Sequence, residues 1–141
     1  MMANTTTYPV PVPSPPGLSG QWYQWLAEGE LRFQRCGDCS VWRHPPRLLC
    51  ADCGSSAWDW VRSSGRGKLF SWTVSHRAFH PDFTEVVPYA IVVVEMDEGP
   101  RLVCSVRDIA NEDLRLDLPV EIGMAAGLKG GALPYAKPRG D

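Results

Sequence analysis

Hydrophobic positions change their period twice along this chain. Trp22, Trp25 and Leu26 fall at helical spacing, so the stretch including Gln21 to Glu28 predicts a short helix with one apolar face. Ser19 is placed to cap that helix and Gly29 to stop it. Beyond Leu31 and Phe33 neither a helical nor an alternating period holds. Val41-Trp42-Arg43-His44-Pro45-Pro46-Arg47-Leu48-Leu49 carries too much proline for a helix and predicts two short strands joined by a turn. After Ser63-Ser64-Gly65-Arg66-Gly67, a turn, the period becomes two: Phe70, Trp72, Val74 and His76 share one face of a strand. Residues 88–96 form a strongly β-branched strand, Asp97-Glu98-Gly99-Pro100 a hairpin turn, 101–106 the returning strand, and 118–128 a final strand region. Several short strands between Gly and Pro turns, with no βα alternation, predict a mainly β protein built on a small closed or nearly closed barrel.

These shifts divide the chain into a disordered Pro-rich arm (1–17), an N-terminal helical segment (18–34), a cysteine ribbon (35–61), a barrel (62–130) and a tail (131–141). A length of 141 residues fits one domain with a small metal module, and a net charge of −2 argues against the whole chain as an electrostatic partner of nucleic acid. The Pro-rich start has no basic and apolar regions in the order of a secretory signal, and no apolar stretch is long enough to cross a bilayer. The chain reads as cytoplasmic, where thiols stay reduced.

Cysteine spacing carries the strongest chemistry. Cys36-Gly37-Asp38-Cys39 and Cys50-Ala51-Asp52-Cys53 form C-x2-C-x10-C-x2-C. Two intervening residues let a tight turn aim both sulfurs at one point, and two facing turns make a tetrahedral thiolate cage suited to one Zn2+. Iron fits the same spacing and stays open. With sulfur in all four places no position remains for water or substrate, so the metal is structural. Gly54 lets the backbone bend behind the second pair. His44 reads as a loop histidine and Cys104, in an apolar run, as a small buried hydrophobe.

Catalytic candidates are thin. His76 and His80, with Asp82 and Glu85 beyond, supply the makings of a His–carboxylate site within one loop, a pattern that more often serves packing or a partner contact. Trp22 and Trp25 on the helix, and Phe79 and Phe83 in the 78–83 loop, are the candidate partner contacts, set against plain packing on the chain's own core.

The order of helix, four-cysteine ribbon, Ser64-Gly65-Arg66-Gly67 and barrel strands with Pro88-Tyr89 and Asp97-Glu98-Gly99-Pro100-Arg101-Leu102 resembles the DUF35 family. The stretches Glu28-Gly29-Glu30-Leu31-Arg32-Phe33-Gln34-Arg35-Cys36 and Ser64-Gly65-Arg66-Gly67-Lys68-Leu69-Phe70-Ser71-Trp72-Thr73 carry the likeness beyond a generic ribbon. The resemblance implies a rubredoxin-like zinc ribbon followed by a five-stranded OB-fold barrel, with Cys36, Cys39, Cys50 and Cys53 as metal ligands. It implies a noncatalytic accessory subunit, in a hetero-oligomer with a thiolase-like enzyme (thiolase or retro-aldolase) or a hotdog-fold hydratase acting on acyl-CoA thioesters in lipid or steroid side-chain breakdown. Such a protein can also help hold CoA. Arg62, Arg66, Lys68 and Arg77 would supply the basic rim, and Gly65 and Gly67 the close backbone approach to a phosphate. The alternative class is a single-stranded nucleic-acid-binding module, since ribbons and OB-folds both occur there. Few Lys or Arg in the strands, and many carboxylates in the second half of the chain, rank it below the first.

Overall fold

The computed structural model describes residues 12–127 and 130–140. The helix α1 (Gly17–Ala27) leads into a three-stranded antiparallel sheet of β1 (Arg32–Cys36), β2 (Trp42–Arg43) and β3 (Trp58–Arg62), in the order β2-β1-β3. A closed five-strand barrel follows: β4 (Arg66–Ser75), β5 (Tyr89–Met96), β6 (Arg101–Val106), β7 (Pro119–Ala126) and β8 (Ala132–Pro138), ordered β4-β5-β6-β8-β7. Helix, four-cysteine ribbon and OB barrel therefore stand as the resemblance implied.

Alternation explains most of the barrel. In β5 Ala90, Val92, Val94 and Met96 point inward, and in β6 Leu102 and Cys104 do. The β5–β6 hairpin turns at Asp97–Pro100, where the Met96 amide donates to the Pro100 carbonyl at 2.9 Å. Leu26, Leu31 and Phe33 join Leu69, Val92, Val94 and Leu102 in one core cluster, so helix, ribbon and barrel share a single apolar centre.

Four features depart from the sequence expectation. The helix begins at Gly17 behind Pro16, so Ser19 lies inside it and caps nothing. The 41–49 segment yields only the two-residue β2, its prolines leaving the remainder irregular. In β4 the register shifts between Leu69 and Ser71: Leu69 is buried on one side of this bulge, Trp72 and Val74 turn inward on the other, and Phe70 is left outside under the Arg101 guanidinium, 3.7 Å from the ring centroid. A bulge inserts one residue and so reverses the face of all that follows, which a period-two count cannot see. Finally, the segment set apart as a tail supplies β8, pairing antiparallel with β7 and parallel with β6 through Ser105↔Tyr135 and Val106↔Ala136. Its prolines and the preceding glycines hide a strand whose Tyr135 ring covers Gly123 on β7. The predicted arm falls mostly on residues 1–11, outside the described residues; Leu128 and Asp141 lie outside them too.

Gly67 shows how tightly β4 lies on β5. A Cβ there would stand 2.5 Å from the Glu95 carbonyl oxygen and 2.8 Å from Val94 Cγ1. Gly67→Ala is expected to cost about 1–3 kcal/mol, read as a lower urea midpoint at unchanged metal content; an unchanged midpoint would refute the packing argument.

Candidate metal centre and its surroundings

Each C-x2-C pair sits on a tight turn closed by its own backbone. The Ser40 amide donates to the Cys36 carbonyl at 3.1 Å and the Gly54 amide to the Cys50 carbonyl at 2.9 Å. Ser40 (φ 66°) and Gly54 (φ 78°), each directly after the second cysteine of its pair, both take the left-handed conformation that Gly adopts without cost. The turns face one another. Cys36 Sγ lies 3.6 Å from Cys53 Sγ, and Cys39 Sγ 3.6 Å from Cys50 Sγ. All four sulfurs fall within 4.8 Å of one another. A tetrahedral Zn2+ with Zn–S bonds of about 2.3 Å sets its sulfurs about 3.8 Å apart, so the four thiols fit one ion. The Asp38 side chain accepts from the Ser55 hydroxyl and ties the two turns together.

Electrostatics within the cluster divide by position. The amides of Cys39 and Asp38 aim at Cys36 Sγ and bring its thiol down to about 6; those of Cys53 and Asp52 lower Cys50 likewise. The Val41 amide pulls Cys39 down, but burial and the neighbouring thiols outweigh it and push Cys39 up to about 12. The Ser55 amide likewise loses to the Cys36 thiol and burial at Cys53, whose pKa is raised. Four thiolates this close cannot all carry charge unaided, and a dication in place of the protons removes the conflict.

Around the cluster the ribbon is stiffened by a buried polar clamp that the sequence did not reveal. Gln34, with no solvent exposure, accepts through Oε1 from the Arg47 amide (2.7 Å) and from Arg43 Nε (2.8 Å), and donates through Nε2 to the Arg47 carbonyl (2.9 Å). His44 is no free loop residue either. Its ring is held against Trp22 and Phe33, with centroids 4.8 Å and 5.2 Å away, and burial pushes its pKa down to about 4.

The turn assigned to CoA phosphate is filled by the chain itself. Glu98, from the β5–β6 hairpin, accepts from the Ser63 hydroxyl (2.9 Å) and the Ser64 amide (2.7 Å), while the Gly65 amide donates to Ser63 Oγ (3.0 Å). A carboxylate therefore stands where the sequence placed an anion, and Gly67 is glycine for packing, not for ligand approach. Arg62 pairs with Glu30 at 3.0 Å, Lys68 lies between Glu95 (3.8 Å) and Asp117 (3.7 Å), and Arg77 stacks over Phe79, 5.3 Å from its centroid. Arg66 is exposed. The rim is not gathered into one basic surface.

The aromatic candidates separate too. Trp22 is buried in the chain's own core, because the ribbon loop at His44 closes over the helix, and it offers a partner almost no surface. Trp25 stays partly exposed beneath the Arg32 guanidinium, 4.3 Å from its centroid. Phe79 is fully outside at 80% exposure, whereas Phe83 is half-buried against Tyr89, centroids 5.4 Å apart. His76 and His80 are exposed; His80 Nδ1 accepts from the Asp82 amide at 3.1 Å, a turn cap. Cys104 is buried as expected, and burial raises its thiol to about 12. No helix among the described residues is long and apolar enough to cross a membrane.

Comparison with known proteins follows the same division. Residues 26–59 match the family model of the ChsH2 rubredoxin-like zinc ribbon domain, and residues 60–125 that of the ChsH2 C-terminal OB-fold domain. A solved structure described as an Ltp2-ChsH2(DUF35) aldolase contains a chain 33% identical to this one, with a TM-score of 0.81, covering 90% of this chain and 98% of that one. A probable enoyl-CoA hydratase alpha subunit of Thermomonospora curvata is 38% identical over 70% of this chain but 30% of its own length. The 3-oxo-4,17-pregnadiene-20-carboxyl-CoA hydratase alpha subunit of Mycobacterium tuberculosis is 38% identical over 64% of this chain and 28% of its own. The chain thus spans under a third of these two hydratase subunits.

Two outcomes test this site. Cys39→Ser is expected to abolish metal retention and expose the amides of 32–62 to hydrogen exchange while β5 keeps its protection; a metal-free chain with a protected ribbon would contradict it. For His44, an unfolded histidine titrates near about 6.5 and the folded one near 4. Between these values the unfolded state binds the extra proton, so the contribution is full above about 6.5 and is lost as pH falls toward 4, by up to about 3 kcal/mol. Urea unfolding of His44→Phe should lack that part of the wild-type slope.

Proposed function

The chain belongs to the DUF35 family of ChsH2-type zinc ribbon and OB-fold proteins, and we propose that it is a noncatalytic subunit that binds and stabilises a thiolase-like enzyme, a thiolase or retro-aldolase, acting on acyl-CoA thioesters. The observation that carries this reading is the near-complete match to a chain of an aldolase assembly. Two further facts support it. Hydratase alpha subunits whose names specify CoA thioesters, one of them a steroid, contain a segment related to this chain. The catalytic candidates are poorly placed for turnover: Cys104 is buried and pushed away from thiolate, and His80, exposed with Asp82 at 3.7 Å, uses Nδ1 to accept from the Asp82 amide and cap a turn.

In this reading the metal keeps the ribbon rigid and the partner supplies the reacting groups. Of the four aromatic candidates, Trp25 and Phe79 keep the most surface for docking, and Phe70 is exposed as well. CoA would be held by the assembly and not by the 63–67 turn, with exposed Arg66 and Arg77 the members of the basic set that pair with no carboxylate among the described residues and so stay open to its phosphates. The lipid or steroid nature of the acyl group belongs to the same proposal. Nucleic acid gains no support, because the strand cations Lys68 and Arg101 pair with Glu95, at 3.8 Å and 3.9 Å.

Isolation of the tagged chain from its source cells, followed by mass spectrometry, is expected to return a thiolase-fold enzyme in stoichiometric amount. That enzyme should lose solubility or turnover when expressed alone. A partner equally active alone, or acyl-CoA turnover by this chain alone, would overturn the proposal.

A further inference from the structure

The helix, the ribbon loop and the barrel do not close completely on one another. Between them lies a cavity of about 430 Å³, within the range of about 300–1,000 Å³ common for small-molecule sites. Leu102 forms part of its buried floor; Trp22 and His44 stand in one wall, Phe83, Ile91 and Leu133 in others. Three structural units therefore meet around a pocket open on one side, where exposed Val103 stands in its rim.

The chemistry of the wall narrows what it can take. Among the described residues no Asp, Glu, Lys or Arg lines it. A charged group inside would lie unpaired in an apolar setting, which is costly. His44 adds no charge near neutral pH, since burial holds its pKa at about 4. The lining also includes Tyr23 and Ser105, whose hydroxyls can donate to an uncharged acceptor oxygen.

We propose that this cavity binds the uncharged, apolar acyl portion of a thioester through its hydrocarbon and a carbonyl oxygen, leaving the charged nucleotide outside. This rests on the reading of the chain as a subunit of an acyl-CoA enzyme and adds to it a place for the acyl group. The barrel and ribbon walls then close on the same ligand, so occupancy also fixes the ribbon against the barrel.

Calorimetric titration of the zinc-loaded chain tests it, with decanoyl-CoA, free CoA and 2-decanone as probes. Decanoyl-CoA and 2-decanone are expected to bind saturably, one per chain, and to compete with each other; free CoA should not displace 2-decanone. Leu133→Trp fills the cavity and Val103→Trp narrows it from an exposed position on its lining, the latter placed so that folding is spared. Each should weaken both ligands by about tenfold or more. Absence of saturable 2-decanone binding, displacement of 2-decanone by free CoA, or unchanged affinity in both variants would overturn the assignment. Loss of the enzyme partner in co-purification, with 2-decanone still bound, would instead sink the subunit reading alone.

Discussion

Strand β1 answers to two centres at once, and the remaining structure follows from that constraint. Its last residue, Cys36, is a metal ligand, while Phe33, three residues earlier, is fully buried in the core shared by helix and barrel. Gln34 between them holds the 43–47 loop by its side chain. A closed sulfur cluster therefore fixes more than a local turn. It sets the register of β1 against β2 and β3, and β3 runs within four residues into β4 of the barrel. The small ribbon buries too little apolar surface to hold this arrangement by itself, so the metal replaces a core it lacks.

The same arrangement consumes most of the polar groups that might have served chemistry. Glu98 reaches from a barrel hairpin to the linker at Ser63 and Ser64, joining the two halves where an anion site was expected. Glu30 takes both Arg32 and Arg62, at 2.7 Å and 3.0 Å. Such pairs near solvent add little stability. They do, however, hold Arg32 and Arg62 against a carboxylate and so keep them out of a free basic surface. What remains on offer is aromatic and apolar, at Trp25, Phe79 and the cavity, which suits contact with another protein and with an apolar ligand better than with a phosphate backbone.

Legibility in the sequence follows how local each signal is. The four cysteines were readable because ligand spacing within a tight turn is set by the turn itself, and β5 with its hairpin because alternation and the Gly99–Pro100 turn lie within one short window. Phe70 misled because the bulge beside it depends on pairing with β5, not on its own neighbours. Strand β8 was hidden because its partners lie far off in the chain: Tyr135 answers Gly123 on β7 and Ser105 on β6. Trp22 and His44 were each read alone, the one as a partner anchor set against core packing and the other as a loop residue, when their meaning is mutual burial. At Gln34 nothing local announces that its amide will serve Arg43 and Arg47.

The most direct test of this account is metal analysis of the freshly purified chain combined with X-ray absorption at the metal edge. The account predicts one zinc per chain in a shell of four sulfurs at about 2.3 Å, with no nitrogen or oxygen ligand. A chain isolated without metal, or a shell in which water or histidine replaces a sulfur, would contradict it.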